Sequence, residues 1–149
     1  MTGYTNGILM SVLRPALDGL VLDSAPDAAP MVAETQVGTK FPANVLKLLP
    51  FVVCRATVGG TARGPKVDTR ISVPVQIDAM HVDSRPAHDL ADRALWVLQN
   101  AWATQQVTAD GHIGRITNIS GPFEFIDDQQ PDGLSRWTVT AAVTVRPPV

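Results

Sequence analysis

The chain has 149 residues, 45% of them hydrophobic and 17% charged, with a formal net charge of −2 and a pI near 5.8. That composition excludes a disordered polymer, and the slight acidity argues against a chain built to coat nucleic acid, which normally carries a basic surplus. A single cysteine, Cys54, excludes an internal disulfide. No apolar run approaches the roughly 18 residues that a membrane span needs. The N-terminus lacks the basic and apolar blocks of a signal peptide, so the expectation is one soluble domain over residues 1–149, made in the cytosol.

Ile8, Leu9, Val12, Leu13, Ala16, Leu17, Leu20 and Val21 recur at helical spacing and predict a first helix over Thr5–Leu22, with Asn6 as its cap. Pro15 interrupts that stripe and predicts a kink. Residues 24–30, rich in Pro, Ala and Asp, carry neither period and read as a linker. Met31–Val37 is a candidate short strand, and Val45–Leu49 a single helical turn before Pro50.

Phe51–Val58 alternates, with Val52, Cys54, Ala56 and Val58 on its apolar face. Residues 59–68 are glycine-rich, with Arg63, Lys66 and Arg70 in or beside them. They predict a long, flexible hairpin loop. The strand that follows puts Ile71, Val73, Val75, Ile77 and Ala79 on one face, and Arg70, Ser72, Pro74, Gln76 and Asp78 on the other. Pro74 cannot donate to a ladder, so that part of the strand should be an edge or a bulge.

Asp83 and Ser84 offer capping oxygens for a second helix, and Pro86 suits its first turn. Its apolar stripe runs through Ala87, Leu90, Ala91, Ala94, Leu95, Leu98, Ala101 and Trp102. After a turn at Ala109–Gly111, His112–Ile126 reads as a strand whose broken alternation calls for a bulge near Asn118 or Gly121-Pro122. Residues 127–133 form a polar turn, and Trp137, Val139, Ala141, Val143 and Val145 alternate in a last strand. The expected class is α+β: a mainly antiparallel four- to five-stranded sheet with two helices packed on one face.

Catalytic signals are weak. His81, Asp83 and His88 cluster at the strand–helix junction, but no Cys or second carboxylate joins them at ligand spacing, and Asp83 reads more simply as a cap. Cys54 sits on an apolar strand face, where a thiol behaves as a small hydrophobe. No nucleophile elbow, phosphate loop or dinucleotide fingerprint is present. The sequon at Asn118 has no meaning without a secretory signal, and the aspartates near 127–132 lack calcium-loop spacing. The expectation is a protein that is not an enzyme and needs no cofactor or metal.

Binding signals are stronger. With Leu90, Ala94 and Leu98 inward, Trp96 points about 200° away at about 100° per residue, among Asp89, Asp92, Arg93, Gln99 and Asn100. A Trp on a polar helix face is either a contact for another chain or a seat for a loop of its own chain. The loop at 59–68, with Arg63, Lys66 and Arg70, is the second candidate surface.

The run from Val37 (VGTKFP), the run from Leu49 (LPFVVCR), Val58-Gly59-Gly60, the run from Val67 (VDTRI) and the run from Arg85 (RPAHDLADRA) together resemble the tail terminator, or tail-completion, proteins of siphophages infecting actinobacteria. The likeness spans about Val37–Val145 and rests on element order and short motifs. It implies a virion protein assembled in the host cytoplasm, a homohexameric ring at the head-proximal end of the tail. The ring would end growth of the tail tube protein and meet a head-side connector or stopper, with DNA passing its lumen without specific binding. Another neck or head–tail completion protein is the nearest alternative, and a small cytosolic ligand-binding α+β domain a more distant one.

Overall fold

The computed structural model describes residues 2–57, 61–62, 71–126, 130 and 132–146. Its strands are β1 (Val37–Gly38), β2 (Phe51–Ala56), β3 (Thr61–Ala62), β4 (Ile71–His81), β5 (Val107–Thr108), β6 (Gly111–Phe125) and β7 (Ser135–Arg146). The helices are α1 (Thr2–Leu17), the single turn α2 (Ala33–Gln36) and α3 (Ser84–Ala103), with a 3₁₀ turn at Val45–Lys47. The strands form one sheet in the order β1-β2-β4-β7-β6-β5, with β3 also paired to β4. Every pairing is antiparallel except β1 with β2.

The class is therefore α+β, but the sheet is mixed and wider than four or five strands. The additions β1, β3 and β5 have two residues each. Two residues cannot display a period, so pairing partners alone create them. The same holds over Met31–Val37, where α2 replaces most of the expected strand.

Alternation along β4 and β7 places Val73, Val75, Ile77, Ala79, Val139, Val143 and Val145 on one face, all buried. Ile8, Leu9, Leu13 and Leu17 of α1 and Leu90, Ala94 and Leu98 of α3 complete this main core. Full burial of such a side chain stabilises by about 1.5–3 kcal/mol. Alanines in α3 let that helix lie close to the sheet. The irregular stretch after α1 is stitched down by bonds from Gly19 N–H to Met31 O and from Met31 N–H to Leu20 O, at 2.9 and 3.0 Å.

Several local expectations change. Helix α1 ends at Leu17, with Pro15 in its last turn, so no kink in a longer helix is required. Asn6 lies inside that helix rather than capping it; its Oδ1 accepts the Ala56 N–H at 2.8 Å and closes off the end of β2. Asp83 occupies the cap position of α3 without a side-chain cap bond. The Ser84 hydroxyl instead accepts from Trp137 Nε1 at 3.1 Å. Phe51 and Val53 are buried with Met80 in a second, small cluster on the opposite face of the sheet, roofed by Val45, Leu48, Leu49 and Leu134.

Strand β4 lies inside the sheet, yet Pro74 falls where a donor is not required. Its carbonyl accepts the Thr57 N–H at 2.8 Å, so its nitrogen faces the same flank. On that flank β2 stops at the Ala56–Val75 pair and β3 begins opposite Ser72. The strand is locally an edge there. Register shifts in β6 fall at 113/115, 117/120 and 120/123, which includes both expected bulge regions and adds one at Gly114. At Gly121, φ is +106° and a Cβ would stand 2.6 Å from Thr138 O, so only glycine fits.

Among the described residues, the sheet face opposite the helices carries one buried charge. Asp78 is 0% exposed, and its carboxylate accepts from Arg136 Nε at 2.9 Å, Thr138 Oγ1 at 2.6 Å and Gln76 Nε2 at 2.9 Å. Removing one partner of a buried pair strands the other charge. Asp78→Ala is therefore expected to destabilise by about 3 kcal/mol or more, against about 1 kcal/mol for Thr138→Val. Urea unfolding measures both; a loss below about 1 kcal/mol for Asp78→Ala would show that water already solvates Arg136.

Candidate functional site

The outward face of α3 stands as its spacing predicts. Trp96 is 53% exposed, and the Arg93 guanidinium lies over its ring at 5.0 Å. Three residues along a helix bring these side chains together, and such an exposed cation–π contact contributes about 0.5–1 kcal/mol. Asn100 is exposed and Gln99 half-buried on the same side, next to an exposed Asp92. Stacking on Arg93 holds the indole in one orientation without covering it. The other candidate residues, Arg63, Lys66 and Arg70, lie outside the described residues.

The junction of β4 and α3 gathers the titratable side chains. His81 is buried, and its Nδ1 accepts the Asp83 N–H at 3.2 Å. His88 meets the Trp137 ring edge-on at 4.7 Å and lies 3.3 Å from Asp89 and 3.8 Å from Asp92. The Asp89 carboxyl is held below its ordinary range, first by the nearby Ser24 hydroxyl, which outweighs the opposing effect of burial, and then by His88 and Arg85. His81, Asp83 and His88 do not converge: among the described residues, no group of three potential metal ligands forms.

Cys54 is fully buried, and burial, reinforced by the charge of Asp78, pushes its thiol far above the ordinary range. A thiol so placed is held in its un-ionised form, unsuited to nucleophilic attack. A shallow polar groove runs along α1 between Thr39 and Asp110, where the Ser11 hydroxyl donates to Asp110 and Arg14 Nε donates to Val37 O at 3.2 Å.

Sequence reasoning missed the composition of the sheet face opposite the helices. By register its outward positions include Arg55, Gln76, Thr140, Ser120, Pro74, Ala142, Thr117, Ser72, Thr144 and Arg115. Its upper end is an aromatic–arginine cluster: the Arg136 guanidinium lies 4.7 Å from the Phe41 ring and 4.1 Å from that of Phe125, and Arg55 lies 5.9 Å from Phe41. Beside it Phe123 and Ile126 are 59% and 81% exposed. Reading every second residue of each strand would have found these positions, but only the pairing brings them onto one surface.

No protein-family model matches the chain, and no characterised protein matches its sequence. Among the described residues, no helix is long and apolar enough to cross a membrane.

The junction yields a pH dependence. Burial lowers the His81 pKa below its ordinary 6.5, more than neighbouring Asp83 raises it. The unfolded chain then binds more protons than the folded one below pH 6.5, so this contribution is complete above that pH and is lost as the pH falls through the folded pKa. Protonation also cancels the acceptor that holds the Asp83 N–H. Thermal unfolding from pH 7.5 down to about 5 is expected to show a falling midpoint, with a shallower fall in His81→Gln. Equal slopes in both proteins would remove His81 as the cause.

Proposed function

We propose that this chain is a structural subunit of a phage tail end: a tail terminator that assembles as a six-membered ring and caps the tail tube. The observation that carries the reading is Trp96, half exposed and pre-oriented by Arg93 on the polar face of a helix whose other face is core. Large aromatic and Arg side chains of this kind are the usual anchors of protein contacts. The exposed Phe123 and Ile126 at the far end of β6 supply a second apolar surface on a different element. A subunit that uses two unlike surfaces makes head-to-tail contacts, which close into rings when the rotation permits.

In this reading the partners are further copies of the chain, the tail tube protein and the head-side connector or stopper. DNA passes the lumen without specific binding, and the site of action is the head-proximal end of the virion tail. The chain acts by geometry rather than catalysis and needs no cofactor. The resemblance of the motif runs to siphophage tail terminators supplies the identity of the assembly, and the α+β fold is compatible with it.

The experiment is to add the purified chain to polymerising tail tube protein and follow tube length by electron microscopy and assembly mass by light scattering. Shortened tubes, each closed by a ring of six copies, are expected. Tubes of unchanged length with no bound chain would refute the proposal. Trp96→Ala should weaken ring assembly at least tenfold while leaving the midpoint of monomer unfolding within about 2 °C, because an exposed side chain contributes little to the core. A large loss of monomer stability would place Trp96 in the fold instead.

A further inference from the structure

Two arginines on the sheet face opposite the helices have nothing in the described chain to bind. Arg14 donates to Val37 O, Arg85 acts on Asp89, Arg93 lies over Trp96, and Arg55 and Arg136 lie against phenyl rings. Among the described residues, Arg115 and Arg146 make no ion pair, hydrogen bond or ring contact. The strand pairing puts them side by side. Arg146 stands opposite His112, Arg115 stands opposite Thr144, and Thr144 stands opposite Ser72 of β4. Val73, Ile113, Ile116, Val143 and Val145 beside them are buried in the main core, so these five polar side chains share the other face. Gly114 links the two arginines. It falls at a register shift of β6, and a Cβ there would stand 3.0 Å from Arg146 Nε and 3.5 Å from its Cδ and Cγ. The Arg146 side chain therefore crosses β6 over that glycine, from the level of His112 towards that of Arg115. Its Nε is buried there without a hydrogen-bond partner, and so is His112 Nδ1. A buried donor left unpaired is costly, and like charges set together on a sheet repel. Among the described residues no carboxylate offsets them. Asp78 on the same face is held by Arg136, and Asp110, the nearest in sequence to His112, accepts from Ser11 of α1.

We propose that this corner of the sheet is an oxyanion site whose ligand is a phosphate group. The unmet donors set the sign of the ligand, and their placement sets its class. Guanidinium groups come from β6 and β7, hydroxyls from Thr144 and Ser72 in the adjoining rows, and His112 offers an Nδ1–H when its proton sits on that nitrogen. Donors spread over three strands suit a tetrahedral group with oxygens in several directions. A planar carboxylate is satisfied by one arginine fork and leaves the second without work. Bidentate capture through Nε and a terminal nitrogen of Arg146 needs only rotation of a side chain that no bond anchors. The inference stands on this geometry and does not rest on the ring reading. The phosphate has two sources, a free phosphate or small ester and the backbone of a nucleic acid. A backbone contact of this kind is blind to base sequence.

The test titrates inorganic phosphate into the full chain and follows its backbone amide resonances, with chloride at matched ionic strength as the blank. Saturable shifts centred on Gly114, Arg115 and Thr144 are expected, with acetate binding at least tenfold more weakly. Arg115→Gln and Arg146→Gln should each weaken phosphate at least tenfold, since each removes one charged fork. Gly114→Ala keeps every cation but displaces the Arg146 guanidinium, and should weaken binding at least threefold. Neither arginine bonds to the rest of the described fold, and the nearest atoms that a methyl at Gly114 meets belong to that flexible side chain. Thermal unfolding of each variant should therefore stay within about 2 °C of the wild type. The same proteins are then titrated with a 30-base-pair duplex. A duplex that the wild type binds and both glutamine variants release assigns the phosphate to a nucleic-acid backbone. Phosphate bound with the duplex ignored assigns it to a free phosphate or ester. The site is overturned if neither ligand gives saturable shifts at this corner, if chloride or acetate reproduces them, or if the glutamine variants bind as the wild type does.

Discussion

A sheet whose helices cover only one face must satisfy any charge it buries on the other, and Asp78 is where this protein meets that demand. Its carboxylate is buried on the uncovered side at the centre of β4, bound by Arg136 and Thr138 from β7 and by Gln76 from its own strand. Slip β7 by one residue against β4 and Arg136 would point into the main core while the carboxylate lost its partner. The charge pair and the apolar stripe on the reverse side therefore demand the same register. The Asp78–Arg136 pair also anchors the guanidinium on which Phe41 and Phe125 pack, so the loop before β2 and the end of β6 are held by the same residue.

This arrangement divides the molecule into a side that holds it together and a side on which, among the described residues, no helix packs. The alanine-rich face of α3 lies flat on the sheet, and the turn geometry of the helix then leaves Trp96 outward. The small second core under Val45, Leu48 and Leu49 seals one end of the opposite face. Asp78 is tolerated as a buried charge because three donors meet it.

Much of the fold was legible. The alternation in β4 and β7, the stripe of α3 and the outward Trp96 follow from periods that a single segment displays without help from its neighbours. The bulges in β6 were legible for a similar reason, since Asn118 and Gly121 break a pattern that is otherwise kept, and both have positive φ. Other features had no local signal. Asn6 carries the composition of a cap, yet it sits in a helix because its amide serves the backbone of β2, fifty residues away. Ser84 likewise spends its hydroxyl on Trp137. Capping propensity describes what a side chain can accept, and tertiary contacts decide which donor arrives.

By itself, the sequence determined which residues turn inward along each strand and helix, because the periods of the backbone are intrinsic to a segment. It determined too that Pro74 needs a place without a donor and that Trp96 faces away from its own core. Only the tertiary structure decided the strand order, the two-residue strands at the margins, and the meeting of Asp78 with Arg136 across 58 residues of chain. It alone gathered Arg55, Arg115 and Arg146 onto one face. These are properties of pairing between distant segments, and a one-dimensional pattern carries the faces of each strand but not the neighbour it will choose.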